Sequence, residues 1–291
     1  MLSYRHAFHA GNHADVLKHL VLIEMLRYLT QKSAPLMVID THAGAGRYRL
    51  VSREAQKLRE YREGIGRIWR AEDAPAAVAN YLAAVQELNP AGELAQYPGS
   101  PWLARRFLRP ADPLRLFELH GNEASALAQT FKDAEKDAAR ATHIVRGDGL
   151  ALLKSLLPPP GRRALALIDP SYETRQDYSA VILALKDALK RFATGTYALW
   201  YPALARLESR QLPERLKRLS ANWLHVRLST RAPAVDGIGM YGSGLVVFNP
   251  PWTLADALCQ SLPWLTERLA QDERAEWALE RSEDRRRRTE D

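Results

Sequence analysis

The stretch Leu36-Met37-Val38-Ile39-Asp40-Thr41-His42-Ala43-Gly44-Ala45-Gly46 decides the fold. Four apolar residues between Pro35 and an acid read as a short strand buried on both faces, and the glycines after it read as a loop whose backbone can approach a ligand. Upstream, Asn12 can cap a helix in which Val16, Leu17, Leu20, Ile23, Leu26 and Leu29 recur at helical spacing until Pro35. Downstream, apolar strands recur at Leu114 to Leu119, Thr142 to Arg146, Ala164 to Ile168, Tyr197 to Trp200, Trp223 to Ser229 and Gly244 to Phe248. Helical segments such as Ser179 to Phe192 and Leu204 to Leu219 lie between them. This alternation predicts an α/β fold: a seven-stranded, mostly parallel, doubly wound sheet with helices on both faces. Roughly 65 residues separate the first loop from the second strand. Residues 53–97 of that interval are helix-like and predict an insertion into one domain spanning 1–272. Residues 273–291 hold seven acids and six bases and predict a charged, flexible tail.

The 291 residues, 46% hydrophobic and 26% charged, suit one large globular domain. Cys259 is the one cysteine, which excludes an internal disulfide and predicts a reducing cytoplasm. No apolar run approaches the length of a membrane span, and the first residues lack the apolar core of a secretory signal. The net charge of +7 favours an anionic partner. Residues 186–231 carry ten Lys or Arg against three Asp or Glu, an excess equal to the whole net charge, and residues 1–60 carry nine against five. Phosphate contacts are therefore expected from these two regions, with Arg215, Lys217 and Arg218 among them, and not from the arginine-rich tail.

Polar residues stand at successive strand tips, where open α/β sheets bind ligands. Asp40 opens the loop holding Gly44; Glu118 closes the second strand, where an acid can accept hydrogen bonds from ribose hydroxyls; Asp148, beside Gly149, follows the third and can read an adenine edge. Together they suggest an adenosine-containing cofactor. After the fourth strand comes Asp169-Pro170-Ser171-Tyr172. It resembles the [Asp/Asn]-Pro-Pro-[Tyr/Phe/Trp] motif of S-adenosylmethionine-dependent amino-methyltransferases. An amine conjugated to a purine is a poor nucleophile. Hydrogen bonds from its N–H groups to the Asp169 carboxylate and Pro170 carbonyl return electron density to nitrogen and aim it, while Tyr172 offers a stacking face. Asp169 can also take up the released proton. Ser171 replaces the usual second proline. Asn249-Pro250-Pro251-Trp252 matches the motif more literally, but it follows the seventh strand, expected to run antiparallel, so its tip should point away.

The N-terminal segment holds Tyr4, His6, His9, His13 and His19. Gly11 interrupts the His9–His13 pair and no cysteine or general-base glutamate accompanies it, so no metal is expected. His19 is either an ordinary packed histidine or faces the loop of His42, where two imidazoles would suit a carboxylate-bearing ligand.

The opening MLSYRHAFHAGNHADVLKH (1–19), DTHAGAGRY (40–48), YPGSP, FELH, GDG, IDPSYE, RFATGTYALWYP and NPPW, in this order, resemble the bacterial 23S rRNA (adenine-2030-N6) methyltransferase family from Met1 to about Leu265. The resemblance implies a Rossmann-like class I methyltransferase core with a helical insertion, acting on 23S rRNA as a cytoplasmic monomer without an obligate protein partner. It implies that His19, His42, Ser100, Glu118, Asp148, Gly149 and Asp169 line the S-adenosylmethionine site, with Asp169 the catalytic acceptor. Residues 1–13 would cap the target adenine through Tyr4, Arg5 and His6. A DNA adenine-N6 methyltransferase is the alternative within the class. Outside it stand an NAD-dependent dehydrogenase, disfavoured because Glu118 falls far beyond the usual ribose-binding position, and a non-catalytic RNA-binding protein.

Overall fold

The computed structural model describes residues 4–132 and 136–282. Its strands are β1 (Met37–Asp40), β2 (Arg47–Arg49), β3 (Gln96–Pro98), β4 (Leu114–Glu118), β5 (Thr142–Arg146), β6 (Ala164–Ile168), β7 (Thr196–Ala203), β8 (Trp223–Ser229), β9 (Gly242–Phe248) and β10 (Glu276–Arg281). The helices are α1 (His13–Leu29), α2 (Arg53–Leu58), α3 (Ile65–Ile68), α4 (Ala76–Glu87), α5 (Ser100–Phe107), α6 (Gly121–Thr130), α7 (Lys136–Ala141), α8 (Gly149–Leu156), α9 (Arg175–Arg191), α10 (Leu207–Lys217) and α11 (Leu254–Leu269). None of the described helices is long and apolar enough to cross a membrane.

The main sheet has the order β10-β8-β9-β7-β6-β1-β4-β5. β5, β4, β1, β6 and β7 run parallel, and β9 is inserted antiparallel between β7 and β8. All seven strands expected from the sequence are present, but the sheet has eight, and this corrects the expected strand number. The eighth, β10, pairs antiparallel with β8 over six residues, so the chain is sheet-bound in part of the segment expected to be a flexible tail. Counting charges hid it. Its acids find cations on or beside the neighbouring strand, Glu276 with Arg227 at 2.7 Å and Glu280 with Lys217 at 2.8 Å, an arrangement suited to an edge. Residues 283–291, including Arg285 to Arg288, lie outside the described residues.

Alternation along the central strands divides the core into two layers. Val38, Leu165 and Leu167 face a cluster with α1, α4, α5 and α11, whereas Ile39, Ala166 and Ile168 face one with α8 and α9. Residues 53–97 share the first cluster through Ile65, Val78, Tyr81 and Tyr97, and β2 pairs with β3 across the base of this segment.

Helix α1 is capped as its sequence predicts, with Asn12 Oδ1 accepting from the amides of Ala14 and Asp15 at 3.0 Å. Thirteen of its 17 residues are buried, so polar groups on it need partners inside the protein. That requirement shapes the site.

Candidate active site

The tips of β1, β4, β5 and β6 converge at one end of the sheet, and the loop after β1 runs between them. Its closeness to the neighbouring tips depends on two glycines. Gly44 has a φ of +59°, and a Cβ there would stand 2.2 Å from the Tyr48 hydroxyl; a Cβ on Gly149 would stand 2.3 Å from the Thr41 carbonyl. The Gly44 amide donates to Glu118 Oε2 at 2.8 Å and the His120 amide to Oε1 at 2.7 Å, fixing the Glu118 carboxylate over the loop. Asp148 caps α8, its Oδ1 accepting from Leu150 and Ala151, while its second oxygen has no partner among the described residues.

Beneath the loop, Asp40 is fully buried. Ser100 Oγ donates to its Oδ2 at 2.7 Å and the His42 amide to its Oδ1 at 3.2 Å. Burial pushes its carboxyl up to about 6, and the Ser100 hydrogen bond opposes that rise. His42 shares a hydrogen bond with Thr41 Oγ1 at 2.8 Å and burial lowers it to about 4; His19, bonded to the Tyr97 hydroxyl at 2.9 Å and stacked on that ring, is lowered to about 3 by the same cause. Both imidazoles are therefore neutral near pH 7. His19 lies deeper than His42, in the packed wall between α1 and Tyr97.

At the tip of β6, Asp169 meets a residue that the sequence reading passed over. Lys18, 4% exposed, donates from Nζ to Asp169 Oδ2 at 2.6 Å and ion-pairs with Asp15 at 2.9 Å, with the Trp200 ring 5.6 Å from its ammonium. The two carboxylates hold the Lys18 proton far above its usual range. Burial raises the Asp169 carboxyl, and Lys18 counters part of that rise. Asp15, although buried, is pulled well below the usual carboxylate range by His6 and Lys18. Asp169 Oδ1 and the Pro170 carbonyl accept nothing from the described residues. The signal available in the sequence was the Asp15–Lys18 pair itself, two opposite charges one turn apart on a helix otherwise read by its apolar positions.

The N-terminal segment lies against this tip. The Tyr4 amide donates to Glu173 Oε1 at 2.8 Å, just after the Asp169–Tyr172 tetrapeptide. Tyr4 OH and His6 Nδ1 are 2.8 Å apart, and His6 Nε2 is 2.9 Å from Asp15 Oδ2. Tyr4, His6, Asp15, Lys18 and Asp169 thus form one continuous polar line. Arg5 turns aside to pair with Glu54 at 3.1 Å. His9 bonds Glu60 at 3.0 Å, and no group of three metal-ligating side chains occurs among the described residues.

Two expectations change. Tyr172 is 2% exposed, enclosed by Tyr178 and Trp200, with its hydroxyl donating to the Trp200 carbonyl at 2.8 Å. Its φ of +52° accompanies a ring held in the core, so the stacking face expected of it is closed; Tyr4, 38% exposed, has the accessible ring. Lys217 of the expected phosphate-binding trio is also occupied, half-buried against Trp223 with Glu214 and Glu280 as partners. Asn249, by contrast, ends the antiparallel β9 and lies at the opposite end of the sheet from Asp169, as strand direction required.

A family model described as "Ribosomal RNA large subunit methyltransferase D, RlmJ" matches residues 33–281. The chain is 45% identical over 270 residues to Ribosomal RNA large subunit methyltransferase J of Escherichia coli (strain K12), covering 92% of this chain and 94% of that protein. It is 43% identical over 282 residues to the protein of the same name from Haemophilus influenzae, covering 96% of this chain and 98% of the other. A crystal structure of a protein from Legionella pneumophila str. Philadelphia 1 superposes with a TM-score of 0.86 at 34% identity, covering 95% of this chain and 99% of that one.

Proposed function

This chain belongs to the ribosomal RNA large subunit methyltransferase J family, and from that premise we propose that it methylates the exocyclic N6 of an adenine in 23S rRNA, adenine 2030 by family resemblance. It is an S-adenosylmethionine-dependent ribosomal RNA methyltransferase, and its reaction belongs to the cytoplasm, where ribosomal RNA is available. The observation that carries the assignment of the chemistry is the Asp169–Lys18 contact at the tip of β6.

The loop suits an adenosine-bearing cofactor by the chemistry of its groups. Glu118 supplies a fixed carboxylate suited to ribose hydroxyls, Asp148 an unpartnered oxygen at the next tip, and Gly44 and Gly149 close backbone. Ser100 positions Asp40 beneath, and the neutral imidazoles of His19 and His42 would line the cofactor site, as the family resemblance implies. S-adenosylmethionine, when bound, supplies an electrophilic methyl group.

The remaining work falls to groups of the chain itself. Lys18 keeps one Asp169 oxygen engaged and favours its charged form, which leaves Oδ1 to accept an N–H of the target amine; the free Pro170 carbonyl accepts the second. These two acceptors hold the amine's lone pair toward the methyl group. Once nitrogen becomes positively charged, Asp169 takes the proton. Tyr4, stacked on His9 through one face, would offer its other face to an extruded base, and His6 positions it through their 2.8 Å contact. Tyr172 is a positioning residue that anchors the tetrapeptide to Trp200.

Incubation with tritiated cofactor and either unmodified 23S rRNA or unmethylated DNA tests this reading. Label is expected in RNA N6-methyladenine and should be absent with Asp169→Ala. Label in DNA alone would overturn the substrate assignment.

A further inference from the structure

The tetrapeptide Asn249-Pro250-Pro251-Trp252 takes no part in the chemistry above, yet its turn is firmly built. Asn249 holds a φ of +50°, and its Nδ2 donates to the carbonyls of Ala193 and Gly195, both at 2.7 Å. Two prolines then restrict the backbone, and the indole of Trp252 projects from the turn 74% exposed, far more than any other described aromatic side chain. Tyr28 meets it perpendicularly at 6.5 Å.

Trp252 walls an open cavity of about 530 Å³ at the end of the sheet opposite Asp169, where β6 and β7 begin. Tyr28, Lys32, Arg162, Arg163 and Thr196 are among its other walls, and no described carboxylate lines it. Among the described residues Arg163 donates to the backbone carbonyls of Leu29 and Ala34 and forms no ion pair, with Asp112 acting on it only at longer range. Lys32 and Arg162 form no ion pair among the described residues. Arg162 also holds a φ of +48°, in a turn closed by its amide on the Pro159 carbonyl at 2.9 Å.

An exposed indole beside cations that form no ion pair among the described residues matches the two chemical halves of a nucleotide. The ring provides a stacking platform for any base, and the cations suit its phosphate. Because Lys32 and Arg162 lack protein counter-ions, a phosphate there would not displace an existing pair.

We propose that this cavity is a second RNA-binding site, which holds an unpaired nucleotide of the substrate strand with its base on Trp252 and its phosphate on Lys32 and Arg162. The proposal rests on the assignment of ribosomal RNA as substrate. The five residue steps from Ala164 to Asp169 separate the two ends of the sheet by about 17 Å, at ~3.3 Å per step. Because β6 is covered on both faces, a strand passing over the surface needs more than about five stacked nucleotides at ~3.4 Å each to join the two ends. The site anchors RNA and leaves the chemical step alone.

The test uses the full-length protein with Trp252→Ala, Trp252→Phe and the double variant Lys32→Ala/Arg162→Ala. Binding of an unmodified 23S rRNA fragment is measured over a range of salt, together with single-turnover methyl transfer. Trp252→Ala should weaken RNA binding about tenfold, the loss of one stacked base, and Trp252→Phe should restore most of it. The double variant should lower the slope of log affinity against log salt by about one to two. Transfer at saturating RNA should match the parent in all three. RNA affinity within about twofold of the parent in Trp252→Ala overturns the proposal, as does a loss that phenylalanine leaves unrestored. So does an unchanged RNA affinity alongside Trp252-dependent binding of a free mononucleotide or a protein. A parent enzyme that transfers no methyl group to 23S rRNA would instead remove the functional assignment, an outcome visible before any variant is compared.

Discussion

Lys18 Nζ lies 2.6 Å from Asp169 Oδ2, joining the first helix to the tip of the fourth parallel strand across 151 residues of chain. The same ammonium holds Asp15 at 2.9 Å. It is the only cation in direct ion-pair contact with Asp169 among the described residues, so the packing of α1 and the proposed chemistry meet on one side chain.

Lys18→Met leaves Asp15 and Asp169 buried without their shared cation. Unfolding by denaturant should show a loss of about 3–5 kcal/mol, typical of breaking a buried pair. Lys18→Arg should recover part of the stability but less of the methyl transfer, since a planar guanidinium cannot take the place of a point charge between the two acids. A variant as stable as the parent would refute the burial of this ion pair.

Asp169→Asn keeps an acceptor oxygen and nearly the same shape but loses the negative charge. Single-turnover transfer should fall on the order of 10²–10³-fold, the scale for removing one electrostatic contact to a transition state. RNA binding measured by filter retention should persist. Retained transfer would move the chemistry away from β6.

Acid should destabilise the protein through its buried histidines. Burial lowers His19 to about 3 and His13, His42 and His225 to about 4. Their unfolded forms protonate near 6.5, so between pH 6.5 and 4 the unfolded chain binds more protons and stability falls as pH falls. Asp40, raised to about 6, acts in the opposite sense between its ordinary value near 3.8 and 6, because there the folded state is the one that binds the extra proton. Burial also raises the carboxyls of Asp169 and Glu123, which act in the same sense as Asp40; the four histidines, lowered from the higher ordinary value near 6.5, set the sign and give a melting temperature lower at pH 5 than at pH 7. His19→Gln should flatten that dependence, and a parent profile without the decline would contradict the neutral histidines.

Gly149→Ala places a methyl group 2.3 Å from the Thr41 backbone carbonyl. Backbone cannot step aside as a side-chain end can, so the β1 loop must shift from the start of α8. Cofactor affinity, read by isothermal titration, should drop about tenfold or more, a cost of roughly 1–3 kcal/mol for the strain. Gly161→Ala, whose nearest neighbour would be the Pro35 carbonyl at 3.6 Å, should bind cofactor as the parent does.

Ending the chain after Asp272 removes β10 and uncovers the edge of β8. The loss of a six-residue ladder and of the Arg227–Glu276 and Lys217–Glu280 pairs should cost roughly 2–3 kcal/mol, or about 5–10 °C in melting temperature, and favour aggregation through the bare edge. An unchanged midpoint would show that β10 contributes nothing to the sheet.

Seven strands and the Asn12 cap were legible because buried strands and helix caps impose local patterns. β10 was not, since the segment containing Glu276, Trp277 and Glu280 reads as solvated charge until the facing Arg227 and Lys217 are known. The placement of Asp169 at a strand tip was legible from the sequence, whereas its contact with Lys18 was hidden in a helix read by its apolar residues. The burial of Tyr172 depends on Tyr178 and Trp200 and on a positive φ, none of which a motif encodes. The opposite end for Asn249 did follow from sequence, because strand order carried the direction of β9.

The 151-residue separation of Lys18 and Asp169 also has a meaning in time. A ribosome adds about 5–20 residues per second, so α1 is complete on the order of 8–30 seconds before the acid that completes its ion pair exists. During that interval the nascent chain cannot form the contact on which the proposed chemistry depends. The pair, and with it the proposed reactive centre, is thus completed only after the first helix has waited for the middle of the chain.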